Sequence, residues 1–193
     1  MAPGMLGRLF GRSEPPAPDL DALFALPGAV LTLAASLDLR ATGIGSVSFR
    51  AAEGAAAGQT VADVQALLDA DEGPDVERTV DDFGYTWLLV RHPPEDVPGL
   101  VTDLHAVNTT LEANGFGGSL LCSVLGLRTP DDRSVALVYL YKRGTFYPFA
   151  PGPGGSRNRD TALELQVRGA VGADLPIETD LTRWFPVWGA PAT

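Results

Sequence analysis

The hydrophobic positions change period several times along the chain, and each change marks an element. From Asp19 the spacing predicts a short helix through Leu26 that stops at Pro27, with Asp19 as its cap. Gly28 to Leu39 places Val30, Leu33 and Leu37 at helical spacing and holds three alanines, which favours a helix over a strand. Gly43 to Ala51 alternates instead, with Val47, Phe49 and Ala51 on one face of a strand. A helix is expected to open at Thr60, carry Val61, Val64, Leu67 and Leu68 as its stripe, and end at Gly73-Pro74. Val76–Val80 and Phe83–Arg91 predict paired strands about an Asp81-Asp82 turn, the second rich in β-formers.

The clearest helix follows Asp96. Val97, Leu100, Val101, Leu104, Val107 and Leu111 share one face, and Gly115 supplies the stop. Ser119–Arg128 and Ser134–Lys142 predict a hairpin closed by Thr129-Pro130-Asp131-Asp132-Arg133, with a further short strand after Gly144. Asp160 caps a helix bearing Leu163, Leu165, Val167 and Val171, and Asp180–Phe185 predicts a final short one. Hairpins imply an antiparallel sheet, and the amphipathic helices must cover it: the fold class is α+β.

Ser13–Pro18, with its prolines, reads as an extended linker. The expected organisation is therefore a flexible N-terminal arm and Pro-rich linker over 1–18, followed by a single α+β domain over 19–193. Pro151–Arg159 reads as a flexible loop. The longest consecutive apolar runs are strand-sized, well short of the roughly 18–20 residues that span a bilayer, and no secretory signal is evident, so a cytoplasmic location is expected. In the arm, Met5, Leu6, Leu9 and Phe10 share one side of a helix with Arg8 and Arg12 beside it. That pattern allows at most weak peripheral contact with the inner face of the plasma membrane.

Charge narrows the partners. The 193 residues carry 14 Lys+Arg against 24 Asp+Glu, a net charge of −10, which argues against nucleic acid. The single Cys122 excludes an internal disulfide and, set in an apolar strand, reads as an inert core thiol. A metal centre needs convergent ligands, and His92 and His105 are the only histidines, without CxxC or HExxH spacing. His92, before Pro93-Pro94, reads as solvated, and His105 as a half-exposed helical histidine near Asp103. Gly43-Ile44-Gly45-Ser46 lacks the lysine and helix of a phosphate cradle, and Gly117-Gly118-Ser119 is a turn rather than a nucleophile elbow. The carboxylate pairs Asp81/Asp82 and Asp131/Asp132 read as turn chemistry. No catalytic residue, metal or cofactor is assigned.

The unusual segment is Tyr139–Phe149, which sets five aromatic residues beside Lys142-Arg143 in an acidic chain. Aromatics with arginine suit an interface, and they suit a core equally. Trp184-Phe185-Pro186-Val187-Trp188 reads as a tail docked on the domain.

Several stretches occur together, in this order, in one family: Leu20-Asp21-Ala22-Leu23-Phe24-Ala25-Leu26-Pro27, Gly84-Tyr85-Thr86-Trp87-Leu88, Leu100 to Asn108, Leu137 to Pro151, and Trp184 to Gly189. Over nearly its whole length the chain resembles PspA-associated protein B (PspAB), actinobacterial accessory proteins of the phage-shock membrane-stress response. The resemblance implies a non-enzymatic role through contact with a PspA-type protein or an HtpX-type membrane zinc protease. It carries over no catalytic residue. The element order also resembles type III secretion chaperones and YbjN-like proteins, whose fold offers the alternative of a chaperone-like module holding an extended peptide on an open sheet edge. The partner contact is assigned to Tyr139, Tyr141, Lys142, Arg143, Phe146 and Tyr147, with Asp103 and His105 as secondary candidates.

Overall fold

A computed structural model describes residues 17–51, 55–70, 75–153 and 157–193. The expected arm helix with Met5, Leu6, Leu9 and Phe10, the Gly73-Pro74 stop and the centre of the Pro151–Arg159 loop lie outside these residues. The strands are β1 (Arg40–Phe49), β2 (Glu77–Val80), β3 (Thr86–Arg91), β4 (Leu120–Arg128), β5 (Ser134–Leu140) and β6 (Thr145–Phe149). They pair antiparallel throughout, in the order β2-β3-β1-β4-β5-β6. The helices are α1 (Leu26–Leu37), α2 (Ala55–Leu68), α3 (Val97–Ala113) and α4 (Thr161–Val171). This is the expected α+β class.

Strand alternation divides the apolar residues between two cores. Val47, Phe49, Leu88, Val90, Leu125, Leu127, Leu137 and Tyr139 face the helices and join Leu33, Leu100, Leu104 and Val167 in the larger core. Asp96 accepts from the Gly99 backbone N–H at 3.0 Å and so caps α3 as its position predicts. The second core holds Trp87, Cys122, Val124, Ala136, Val138, Tyr147 and Phe149. No helix covers it. Trp184, Ala190 and Ala192 of the C-terminal tail lie on it instead, as the tryptophan pair predicts. The approach is close enough that a Cβ on Gly126 would overlap the Ala192 carbonyl oxygen.

Pro27 corrects the first boundary. It does not stop a helix: a 3-10 turn over Leu20–Ala25 runs straight into α1, and Pro27 stands in the first α-helical turn, where its missing N–H has no partner to lose. The continuous stretch Leu20–Leu37 is long and apolar enough to cross a membrane by length and composition, a property hidden from a count of consecutive apolar residues by Asp21, Thr32 and Ser36. Its Leu23, Leu26, Ala29, Val30 and Leu33 are core residues of the folded chain. α2 begins at Ala55 rather than Thr60, because Ala55-Ala56-Ala57 are good helix formers. Leu67 and, on α4, Leu165 are exposed rather than part of the buried stripes.

The sheet ends differ. Beyond β6, Pro176 and Glu178 bracket Phe146: the Phe146 N–H donates to the Pro176 carbonyl at 2.9 Å and the Glu178 N–H to the Phe146 carbonyl at 2.8 Å. Among the described residues nothing pairs with the outer edge of β2, whose four residues are all exposed.

Candidate functional site

The register of the sheet builds the candidate site. Ser48 stands opposite Trp87 on one side and Cys122 on the other, and Cys122 stands opposite Leu140. The row Trp87–Ser48–Cys122–Leu140 points to the helix-free face and forms the floor of a cavity of about 650 Å³. One wall is the β2–β3 turn with Phe83 and Tyr85. The other is the tail segment Phe185–Trp188, and Leu121, Lys142 and Arg143 close one end.

Each wall is pinned by side-chain hydrogen bonds to the backbone. Asp81 Oδ1 accepts from the Phe83 and Tyr85 backbone N–H groups at 2.9 Å each, and its Oδ2 accepts from the Trp87 indole Nε1 at 2.9 Å. Gly84, at φ +78, closes the turn by donating its N–H to the Asp81 carbonyl. Phe83 therefore sits in the turn, not in the strand as its β-propensity predicts, because Asp81 collects its N–H; β3 starts at Thr86. On the opposite wall the Tyr147 hydroxyl donates to the Phe185 carbonyl at 2.7 Å and the Trp184 indole to the Glu178 carbonyl at 3.0 Å. Arg159 donates to the Trp184 carbonyl and is itself held by Glu164, a buried carboxylate. Phe83 and Phe185 are left 53% and 61% exposed as the lips of the groove.

The segment Tyr139–Phe149 is placed as follows. β5 ends at Leu140, and Tyr141–Arg143 form a 3-10 turn closed at Gly144 by its N–H bond to the Leu140 carbonyl. The strand alternation expected through Lys142 therefore ends at Leu140. Tyr139, Tyr141, Phe146 and Tyr147 are buried. Tyr139, Tyr141 and Phe146 belong to the helix-side core and Tyr147 to the other. Tyr139 hydrogen-bonds Asp19 and Tyr141 donates to Glu112, and burial first, then neighbouring carboxylate charge, pushes both phenols up to about 12. Lys142 and Arg143 reach the groove. Lys142 Nζ donates to the Gly118 carbonyl at 2.8 Å, whereas Arg143 is ion-paired to buried Glu178.

Asp103 and His105 do not form a unit. Asp103 holds His92 through Nε2 at 2.6 Å while Asp96 holds Nδ1 at 2.9 Å, so His92 is clamped between two carboxylates rather than solvated. His105 packs its ring on Phe24 at 4.9 Å and lies 3.6 Å from Asp21. Cys122 lies in the groove floor, and burial pushes its thiol up to about 12, which keeps it protonated. No group of three metal-ligating side chains occurs among the described residues.

Sequence reasoning missed Phe83, Phe185, Asp81, Arg50 and Arg157 as parts of one place. Arg50 stands 5.8 Å from the centre of the Tyr85 ring and Arg157 5.6 Å from that of Phe83. The available signals were an aromatic residue inside a hairpin turn and one between two tail tryptophans. Chemically the arrangement offers an apolar trough with cationic neighbours, in which the Cys122 thiol is held protonated and the Asp81 carboxylate is occupied by three N–H donors.

Among curated proteins and among solved structures nothing matches the chain, so the likeness to type III secretion chaperones and YbjN-like proteins stays an expectation from element order. The family model for PspA associated protein B matches residues 3–192, and the chain belongs to that family.

Proposed function

We propose that this protein is a non-enzymatic accessory factor of the phage-shock envelope-stress response that works by docking a PspA-type protein, at the cytoplasmic face of the membrane. Membership of the family supports the PspA relationship. The observation that carries the docking role is the groove over Trp87, Ser48, Cys122 and Leu140, with exposed phenylalanines as its lips. Exposed aromatic rims around an apolar floor mark interaction sites on folded proteins. An HtpX-type membrane protease is the second partner of this role, reached through the same surface. Lys142 and Arg143 keep the part in it that the sequence assigns them.

The test is affinity capture of the purified PspA-type protein from the same genome by wild-type chain and by a Phe83→Ser, Phe185→Ser variant. Both substitutions are at exposed positions, so the fold survives. A loss of about tenfold or more in affinity is expected, since interface aromatics carry 1–2 kcal/mol or more each. Undiminished capture refutes docking in the groove.

The open outer edge of β2 supports a second reading, addition of an extended peptide as a further strand. Capture that persists in the Phe83→Ser, Phe185→Ser variant and is lost on Thr79→Pro moves the contact there.

A further inference from the structure

Resting on the docking role above, the geometry points to the chemistry of the occupant: an amphipathic α-helix whose apolar face is flanked by carboxylates. The floor is a sheet face, not a sheet edge. Its backbone N–H and C=O groups are consumed in the ladder between β3, β1, β4 and β5. An extended segment laid there would leave its own backbone unpaired, whereas a helix brings its hydrogen bonds with it and offers only side chains.

The charge around the groove sets the sign. Arg50, Lys142 and Arg157 have no carboxylate partner among the described residues: Arg50 lies over Tyr85, Arg157 over Phe83, and Lys142 contacts a backbone carbonyl. Arg50 and Lys142 also line a second cavity that adjoins the groove through Leu121. The carboxylate in the wall, Asp81, is occupied by three N–H donors. Two other described cations lack a carboxylate partner, Arg78 on β2 and Arg168 over Trp184, so three of five gather beside this trough in a chain of net charge −10. They stand in two places, at the Lys142 end and at the Phe83 lip, which suits a ligand with carboxylates spaced along it better than an acyl chain with one head group. The chain's own N-terminal arm fits poorly, because Arg8 and Arg12 would meet these cations.

The probe is a capped helical peptide of about 18 residues, some five turns, with leucines on one face and glutamates flanking them, against the same peptide with lysines for glutamates. Trp87 and Trp188 line the groove and report binding by fluorescence. The full chain is expected to prefer the glutamate peptide by about tenfold, the size of two or three rim ion pairs, and to lose most of that preference on raising salt from about 0.15 M to 1 M. The Arg50→Glu, Lys142→Glu variant, unchanged in circular dichroism, is expected to reverse the preference. Equal affinities, a preference for lysine, no binding of either peptide, or displacement by dodecanoate but no peptide binding each overturn the inference. So does a gain of tenfold on removing residues 1–16, which would make the arm the occupant. Failure here with capture of the PspA-type protein still sensitive to Phe83→Ser and Phe185→Ser leaves the docking role standing. Insensitivity of that capture removes the docking role itself.

Discussion

Asp81 is the residue on which the groove wall depends, and its removal has a calculable cost. Asp81→Ala strips acceptors from three donors at once: the Phe83 and Tyr85 backbone N–H groups and the Trp87 indole. The backbone donors are at an exposed turn and exchange the carboxylate for water, at about 0.5–1.5 kcal/mol each. The indole is different. Trp87 is 4% exposed, so its N–H is stranded unless the ring rotates into the groove, and a stranded buried donor costs about 1–3 kcal/mol. The total expected loss is roughly 2–6 kcal/mol, a large share of the stability of an ordinary domain.

Asp81→Asn separates the contributions. Its amide oxygen can still accept from the two backbone N–H groups in the manner of an Asx turn, but its NH₂ then faces the indole N–H, donor to donor. The Asn variant should therefore cost about 1–3 kcal/mol, nearly all of it from the indole. Urea unfolding followed by far-UV circular dichroism gives the stability, and tryptophan emission reports Trp87 turning to the red in both variants. A cycle with Trp87→Phe isolates the pair: once the indole is gone, Asp81→Asn should cost close to nothing. The reasoning is refuted if Asp81→Ala costs under about 0.5 kcal/mol, or if Asp81→Asn costs the same with and without the indole.

Two further outcomes follow from the other end of β3 and the start of α3. Gly43, at φ +74, passes so close to His92 that a Cβ would overlap the His92 carbonyl oxygen, so Gly43→Ala combines left-handed strain with a backbone clash. A loss of about 2–4 kcal/mol in urea unfolding is expected, and a neutral result would show that this crossing is looser than described. For His92, burial pulls the pKa down, but the hydrogen bonds to Asp103 and Asp96 outweigh it and the net direction is up. A raised pKa means that the clamp's contribution is full below the unfolded histidine value, near 6.5, and is lost as pH rises through the folded value. The stability gap between wild type and His92→Gln should therefore be wider at about pH 5.5 than at pH 8.5; a gap that grows with pH contradicts the clamp.

The fold was legible wherever one period persisted over a whole element. α3 shows this best: a capping aspartate, an apolar stripe and a glycine stop agree, and each is found in place. The hairpin of β4 and β5 is equally plain, because its turn residues separate two long apolar runs. The misreadings share a different cause, a side chain or ring overriding local propensity. Pro27 looks like a stop, yet it opens α1, since a proline in the first turn loses no helical bond. Phe83 has the propensity of a strand and sits in a turn because Asp81 captures its N–H. His92 reads as solvated beside two prolines, and only the crossing of β3 and α3 brings Asp103 to it. The groove was illegible for a related reason. Its floor is one residue from each of four strands, a row fixed by register, and register between distant strands leaves no trace in local spacing.

Register also explains why an acidic chain can receive an acidic partner. The net charge of −10 belongs to the whole surface, whereas Arg50, Lys142 and Arg157 sit within a few side chains of the groove. At low ionic strength, with a screening length of about 30 Å at 0.01 M, an approaching carboxylate feels the whole chain and is repelled. Near 0.15 M the length falls to about 8 Å, so the distant carboxylates are screened and the rim cations set the local sign. Attraction then acts only once the apolar faces are almost in contact. A carboxylate without an apolar face beside it gains little from cations it meets in water. Recognition needs both halves together, the leucine-like face for the Trp87–Leu140 floor and the carboxylates for its rim.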